Sequence, residues 1–240
     1  MISESRIGVF FDIDNTLLPS PSLEWRFAEW LIASNLIARQ QISEWVRQAL
    51  FGSWSEGLKG ISTSKGYLAG LPTRVVQSWK ASLGAGELDP FQEAAERLDE
   101  HLARGHRAFL ISGTLAPLAD VFADEFDGCV DICATALQKE DDDTYTGRIA
   151  GQHMSGREKA RALEEAAYHY AIDLRKSYAY GDSLNDLAML ECVGNPAAVN
   201  PCRKLRRIAA SRRWEIIEWT SIDALDVSRA RHFSATENGR

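Results

Sequence analysis

The sequence of 240 residues is sparing with the residues that brace secreted folds or interrupt structure. It has four cysteines, Cys129, Cys133, Cys192 and Cys202, with no C-x-x-C spacing, which argues against a zinc site. Set among apolar or small neighbours, they read as reduced, buried thiols. Cys129 and Cys133 alternate with period two in "CVDICAT", as small hydrophobes on one face of a strand do. Prolines number only 7 against a hydrophobic fraction of 45%, so disorder is not the default. No run is apolar for the roughly 18 residues that a membrane span needs. The start "MISESR" lacks the basic and apolar regions of a signal peptide, and a cytoplasmic protein is expected. A basic surface is missing too: the net charge is -7 and the pI about 5.3. Nucleic acid and anionic membranes recruit basic surfaces, so neither is an expected partner and a small diffusible substrate fits better. The sequence shows no internal repeat, and nothing in it sets an oligomeric state.

What is present alternates. "RIGVFFDI", "HRAFLISG", "CVDICATAL", "KSYAYGDS", "PAAVN" and "WEIIEW" read as strands, and helical patterns separate most of them. Two helices carry start signals. "DPFQEAAERLDEHLARG" opens acidic with an early proline and closes on glycine, while "SGREKARALEEAAYHYA" has Ser155 as a cap with Glu158 three residues on. This alternation predicts a mostly parallel sheet covered by helices, whose ligands collect beyond the carboxyl ends of the strands.

Between about Leu18 and Gly86 the alternation stops. "LEWRFAEWLIASNLIARQQISEWVRQAL" and "PTRVVQSWKASLG" have helical periodicity, so an all-helical insertion is expected after the first strand. Five of the seven tryptophans, Trp25, Trp30, Trp45, Trp54 and Trp79, fall in it and read mostly as its core, with one or two available to line a pocket. The tail from about Ala230 lacks periodicity and is expected to fray.

Four polar segments sit at the ends of these elements: "DIDNT" after the first strand, "SGT" after the second, "GREKA" opening a helix and "GDSLND" after the fourth strand. In extended chain, residues two apart point the same way, so Asp12 and Asp14 address one volume above the sheet. Their mutual repulsion, increased by Asp182 and Asp186, calls for a hard divalent cation, and Mg2+ is the natural choice.

These four segments, in this order, resemble the motifs of the haloacid dehalogenase-like hydrolase superfamily, and within it the phosphoserine phosphatase-like branch with a helical cap after the first motif. The resemblance spans nearly the whole chain. It implies a three-layer Rossmann-like core of residues 1–17 and 87–240, with an all-helical cap of residues 18–86. It implies an Mg2+-dependent phosphomonoesterase acting on a small phosphorylated metabolite through an aspartyl-phosphate, with phosphoserine or another phosphorylated amino alcohol among the candidates. Asp12 would be the nucleophile and Asp14 the acid and base. Ser112, Gly113 and Lys159 would bind phosphate. Asp12, Asp182 and the backbone carbonyl of Asp14 would hold the metal. Asp186 would hold a metal-bound water or orient Lys159, and Asn185 would contact substrate or phosphate. Thr16 would buttress the loop, and Asn15 suits a left-handed backbone.

Singly, each residue has a plainer reading. Lys159 in a first turn is commonly solvated, Ser112 caps or turns, and Asp182 and Asp186 suit a helix start. Their coincidence at four element ends favours one shared site. The acidic run Asp141 to Asp143 in "KEDDDTYTGRI" reads as a solvated hairpin turn, and "RKLRRIAASRR" as a solvated helical face. The family's serine-recognition positions are not matched. The glutamate position falls on Pro21, with Glu24 three residues later, and the arginine position falls near Ser64 and Lys65, so Glu24 and Lys65 are the specificity candidates. Lysine lacks arginine's bidentate fork. A phosphomutase or phosphotransferase would share the covalent step, and a receiver-like phospho-aspartate module would share the acidic cluster.

Overall fold

The computed structural model describes residues 6–38, 40, 43 and 65–220. Trp45, Trp54, Ser64 and the tail from Ala230 lie outside the described residues.

Six parallel strands form the central sheet: β1 (Gly8–Phe11), β2 (Arg107–Leu115), β3 (Val130–Thr135), β6 (Tyr178–Gly181), β7 (Asn195–Val199) and β8 (Glu215–Ile217), in the order β3-β2-β1-β6-β7-β8. The chain winds outward from β1 to β3, then returns to place β6 on the other side of β1, in register Val9↔Tyr178 and Phe11↔Tyr180. The strand order therefore reverses between β1 and β6, where open α/β sheets bind ligands.

Period-two alternation explains why the sheet has layers on both faces. Val9, Phe11, Leu110, Tyr180 and Val199 pack into one buried cluster, while Phe10, Phe109, Ile111, Ala179 and Ala198 pack into the other. The first cluster includes residues of α1 (Leu23–Ala33), α2 (Val75–Ser82), α3 (Gln92–Ala103) and α4 (Ala116–Ala123). The second is filled from α5 (Arg157–Tyr170), the short α6 (Leu187–Leu190) and α7 (Arg203–Arg212). The result is the expected Rossmann-like α/β arrangement. Among the described residues, no helix is long and apolar enough to cross a membrane.

The described part of the insertion after β1 is helical: α1, a 3-10 turn at Gly66–Leu68, and α2. Ser22 caps α1 by accepting from the Trp25 amide. Arg26 ties together the two stretches that join insertion to sheet. Its guanidinium donates to the carbonyls of Pro19 and Pro21 on one side and Glu87 on the other. The hairpin β4 (Leu137–Lys139) and β5 (Tyr145–Ile149) also meets the insertion, since the Lys65 amide donates to Gly147 and the Gly70 amide to Tyr145.

Several local expectations shift. Helix α5 starts on Gly156 as cap, with no side-chain capping bond. Ser155 instead offers its carbonyl to the Glu158 amide. Pro90 lies ahead of α3, which is preceded by Phe91. The thiols are free but not buried: Cys129 and Cys202 are exposed and Cys133 and Cys192 half-buried. Cys129 precedes β3, so only Cys133 is a strand residue. Trp79 is core and Trp30 stacks on Phe27, but Trp25 is exposed and donates its indole N–H to Glu29. The arginine-rich α7 is a solvated face, with Arg206 paired to Glu218 and Arg212 to Glu191.

Candidate active site

Because β1 ends at Phe11 and β6 at Gly181, Asp12 and Asp182 leave neighbouring strands at the same edge of the sheet. The Asp12 amide donates to the Tyr180 carbonyl at 3.0 Å, prolonging the strand pairing to the carboxylate itself. The first turn of α5 then delivers Lys159 into the same spot. Its Nζ lies 2.6 Å from Asp12 Oδ1 and 2.5 Å from Asp186 Oδ1, and the residue is only 2% exposed. A cation this deep requires such partners, since an unpaired buried charge is costly. Asp186 is fixed from behind by the Ser183 amide and hydroxyl, both 2.9 Å from Oδ2. Gly181 permits the close return of this loop, because a Cβ there would stand 2.5 Å from the Asp186 Cβ.

Burial pushes the Asp12 carboxyl up to about 8, with Asp186 and Asp14 adding to the rise and Lys159 opposing it. Burial, reinforced by Asp186, pushes Asp182 up to about 7. Burial pulls on the Lys159 ammonium too, yet Asp12 and Asp186 outweigh it and hold the group well above its ordinary value. Asp14 is raised by burial, against the hydrogen bond that its Oδ1 accepts from the Leu23 amide at 2.8 Å. One lysine thus leaves this acidic group short of positive charge.

Carboxylate oxygens of Asp12, Asp182 and Asp186 lie within 4.8 Å of one another. Three hard oxygen donors, with the ionisation of Asp12 and Asp182 resisted by burial, fit a small divalent cation, which would supply the missing charge. The Asp14 carboxyl is not part of this group. It turns to the start of α1, and the third carboxylate of the group is Asp186, for which the resemblance implies a supporting role beside the metal or Lys159.

The other expected residues gather round the same cavity of about 310 Å3, lined by Asp12, Asp14, Asn15, Glu24, Ser112, Gly113, Lys159, Asp182 and Asn185. Asn15 adopts φ 61, the left-handed backbone anticipated for it, and accepts from the Ser20 hydroxyl. Thr16 departs from expectation. Its hydroxyl has no partner among the described residues, and its amide bonds the Ile13 carbonyl. The Asn185 carbonyl accepts from the Gly156 amide at 2.8 Å, joining the "GDSLND" loop to the start of α5. A larger hollow of about 770 Å3 opens at the opposite ends of β6, β7 and β8 but holds none of these groups.

Glu24 and Lys65 engage each other. Lys65 Nζ is 2.8 Å from both Glu24 oxygens, and the Tyr67 hydroxyl donates to Oε1 at 2.8 Å. Sequence reasoning treated the two as separate ligands for substrate and overlooked Tyr67. It also overlooked His153 and Thr114, which line the cavity. The only signal for His153 was its place in the polar stretch before "GREKA", and for Thr114 its place after "SG".

Parallel strands that reverse order beneath four carboxyl groups and a buried lysine define an α/β enzyme with a cation-seeking centre. The family model for haloacid dehalogenase-like hydrolases matches residues 9–191, and the chain belongs to that family. It is 31% identical over 221 residues to an inhibition of morphological differentiation protein of Streptomyces azureus, covering 89% of this chain and 79% of that one. It is 29% identical over 221 residues to a phosphoserine phosphatase of Mycobacterium tuberculosis, covering 87% and 70%. A solved structure of a phospho-aspartyl intermediate analogue of phosphoserine phosphatase shares the fold at TM-score 0.63 and 19% identity, covering 94% of this chain and 99% of that one.

Proposed function

We propose that the protein is an Mg2+-dependent phosphomonoesterase acting on a small phosphorylated metabolite, with residues 18–86 as a cap over a core of residues 1–17 and 87–240. One observation carries this reading: Asp12, Asp14, Ser112, Lys159 and Asp182 from four separate segments line one cavity. Asp12 and Asp182, with Asp186 beside them and the Asp14 carbonyl as expected for the family, would hold Mg2+. When bound, Mg2+ keeps Asp12 ionised and offsets phosphoryl charge.

An Asp12 carboxylate oxygen forms the bond to phosphorus as the bond to the ester oxygen breaks, giving an aspartyl-phosphate and the leaving alcohol. Asp14 gives the alcohol its proton. Its raised pKa suits a carboxyl that must enter protonated while its neighbour is charged. Water then attacks phosphorus, Asp14 takes its proton, and Asp12 is released as carboxylate with inorganic phosphate. Ser112, the Gly113 amide and Lys159 hold the remaining phosphoryl oxygens.

Phosphoserine and related amino-alcohol phosphates are suggested by the name of the M. tuberculosis relative. An ammonium would meet Glu24, which Lys65 already neutralises. Asp12→Asn tests the reading: it should abolish Mg2+-dependent hydrolysis of an aryl phosphate, and unchanged turnover in pure protein would overturn it. Transfer to an added alcohol outrunning hydrolysis would instead identify a phosphotransferase.

A further inference from the structure

Beyond the phosphate-binding groups, two polar side chains of the cavity wall that the chemistry above leaves unused, His153 and Thr114, have atoms without a partner among the described residues. His153 precedes α5, and its ring lies against the "SGT" end of β2: a Cβ on Gly113 would stand 3.0 Å from His153 Cε1. The backbone beside it is tied to the same strand by a relay. The Met154 amide donates to the Thr135 hydroxyl at 3.1 Å, and that hydroxyl donates to the Gly113 carbonyl at 2.8 Å. Among the described residues, buried His153 Nδ1 has no hydrogen-bond partner, and neither has the buried Thr114 Oγ1 two residues from Ser112. Both residues line the cavity, and neither atom finds a partner among the described residues of the protein.

The charges around them are closed. Glu24 spends both oxygens on Lys65 and one also on Tyr67. Burial, with Lys65 and Lys159 adding to it, lowers His153 to about 4, leaving the imidazole neutral near pH 7. A neutral imidazole offers one donor and one acceptor, and a threonine hydroxyl offers both. That set matches an alcohol better than an ammonium or a carboxylate.

We propose that His153 and Thr114 determine specificity for the leaving group by hydrogen-bonding a further hydroxyl on the phosphate ester of an uncharged polyol. The proposal rests on the phosphomonoesterase reading and narrows its substrate class. Glu24 and Lys65 then act as a neutral floor and not as separate receptors for an amine and an acid.

Three esters that differ at one atom test it: ethyl, 2-hydroxyethyl and 2-aminoethyl phosphate, each assayed with Mg2+ beside an aryl phosphate. The wild type should favour 2-hydroxyethyl over ethyl phosphate by about tenfold or more in kcat/KM, the scale of discrimination by a buried polar pair. His153→Phe and Thr114→Val should each bring that ratio towards one, mainly through KM, and His153→Gln should restore part of it. A structural role alone would lower both rates and leave the ratio unchanged. Thr114→Val, close in shape, keeps the test decisive should His153→Phe fail to fold. Absence of a hydroxyl preference in the wild type, an unchanged ratio in both variants, or a preference for 2-aminoethyl phosphate would overturn the proposal. Failure on every ester, the aryl phosphate included, would overturn the phosphomonoesterase reading with it.

Discussion

Lys159 Nζ lies 2.6 Å from Asp12 Oδ1 at the end of β1, although the two residues are 147 positions apart in the chain. Asp186 completes the group from the other side at 2.5 Å. The lysine is the counter-charge that lets two carboxyls be buried and, in the proposed function, the cation that meets the phosphate.

Lys159→Met should therefore remove activity and also destabilise the protein by about 3–5 kcal/mol, the cost of breaking a buried pair. The loss should depend on pH. Without the ammonium that opposes its rise, Asp12 keeps a proton in the folded state that the unfolded chain releases near pH 4, so stability falls as pH rises. Urea denaturation at pH 5.5 and pH 8 checks this, and the variant should be weaker at pH 8.

Asp14→Asn should separate the two chemical steps. The Asp14 carboxyl is held by the Leu23 amide, apart from the Asp12, Asp182 and Asp186 group, so the nucleophile should remain intact. With an aryl phosphate, whose leaving group needs little protonation, a burst of phenolate should precede slow turnover. With an alkyl phosphate, loss of the acid should cost about 10²–10⁴-fold from the first turnover. Rapid-mixing kinetics distinguish these courses.

Mg2+ should stabilise the folded protein by mass action, by about 2.7 kcal/mol at a hundredfold excess over Kd. Ion and protons compete for Asp12 and Asp182, whose carboxyls stand at about 8 and 7. Raising the pH from 6 to 8 should thus enlarge the Mg2+-induced shift in Tm. Asp182→Asn should shrink it at both values.

A second titration lies behind the sheet. His101 Nε2 is 2.9 Å from the Tyr180 hydroxyl and its Nδ1 is 2.8 Å from His106 Nδ1, and burial, with His106, Arg97 and Arg104 adding, lowers it to about 4. The unfolded chain takes up the proton near pH 6.5 and the folded chain only near 4, so stability should fall as pH drops through that window. The ceiling is about 3 kcal/mol at about 1.4 kcal/mol per unit. His101→Phe should flatten this part of the pH curve, measured by urea denaturation against wild type.

Much of the fold was legible in the sequence, because strands buried on both faces announce themselves as short apolar runs. "GVFF", "RAFLISGTL" and "NPAAV" became β1, β2 and β7 for that reason. The polar residues at their ends were legible for a related one: a carboxylate directly after a buried strand has nowhere to go but the sheet edge. Cys129 was misjudged because it lies one residue ahead of β3, and Trp25 departs from the core reading of the insertion's tryptophans because it falls on the face of α1 away from Leu23, Phe27 and Leu31; local pattern fixes neither.

By itself the sequence determined the α/β alternation, the helical interruption after the first strand, and the acidic and basic groups at four element ends. Each depends on neighbours within a few positions, whose periodicity and charge are written locally. Only the tertiary structure decided that Glu24 meets Lys65 across 41 positions, that Asp186 and not the Asp14 carboxyl joins Asp12 and Asp182, and that His153 and Thr114 face the same cavity. Those are distances between segments remote in the chain, set by strand order and helix packing, and no local pattern encodes them.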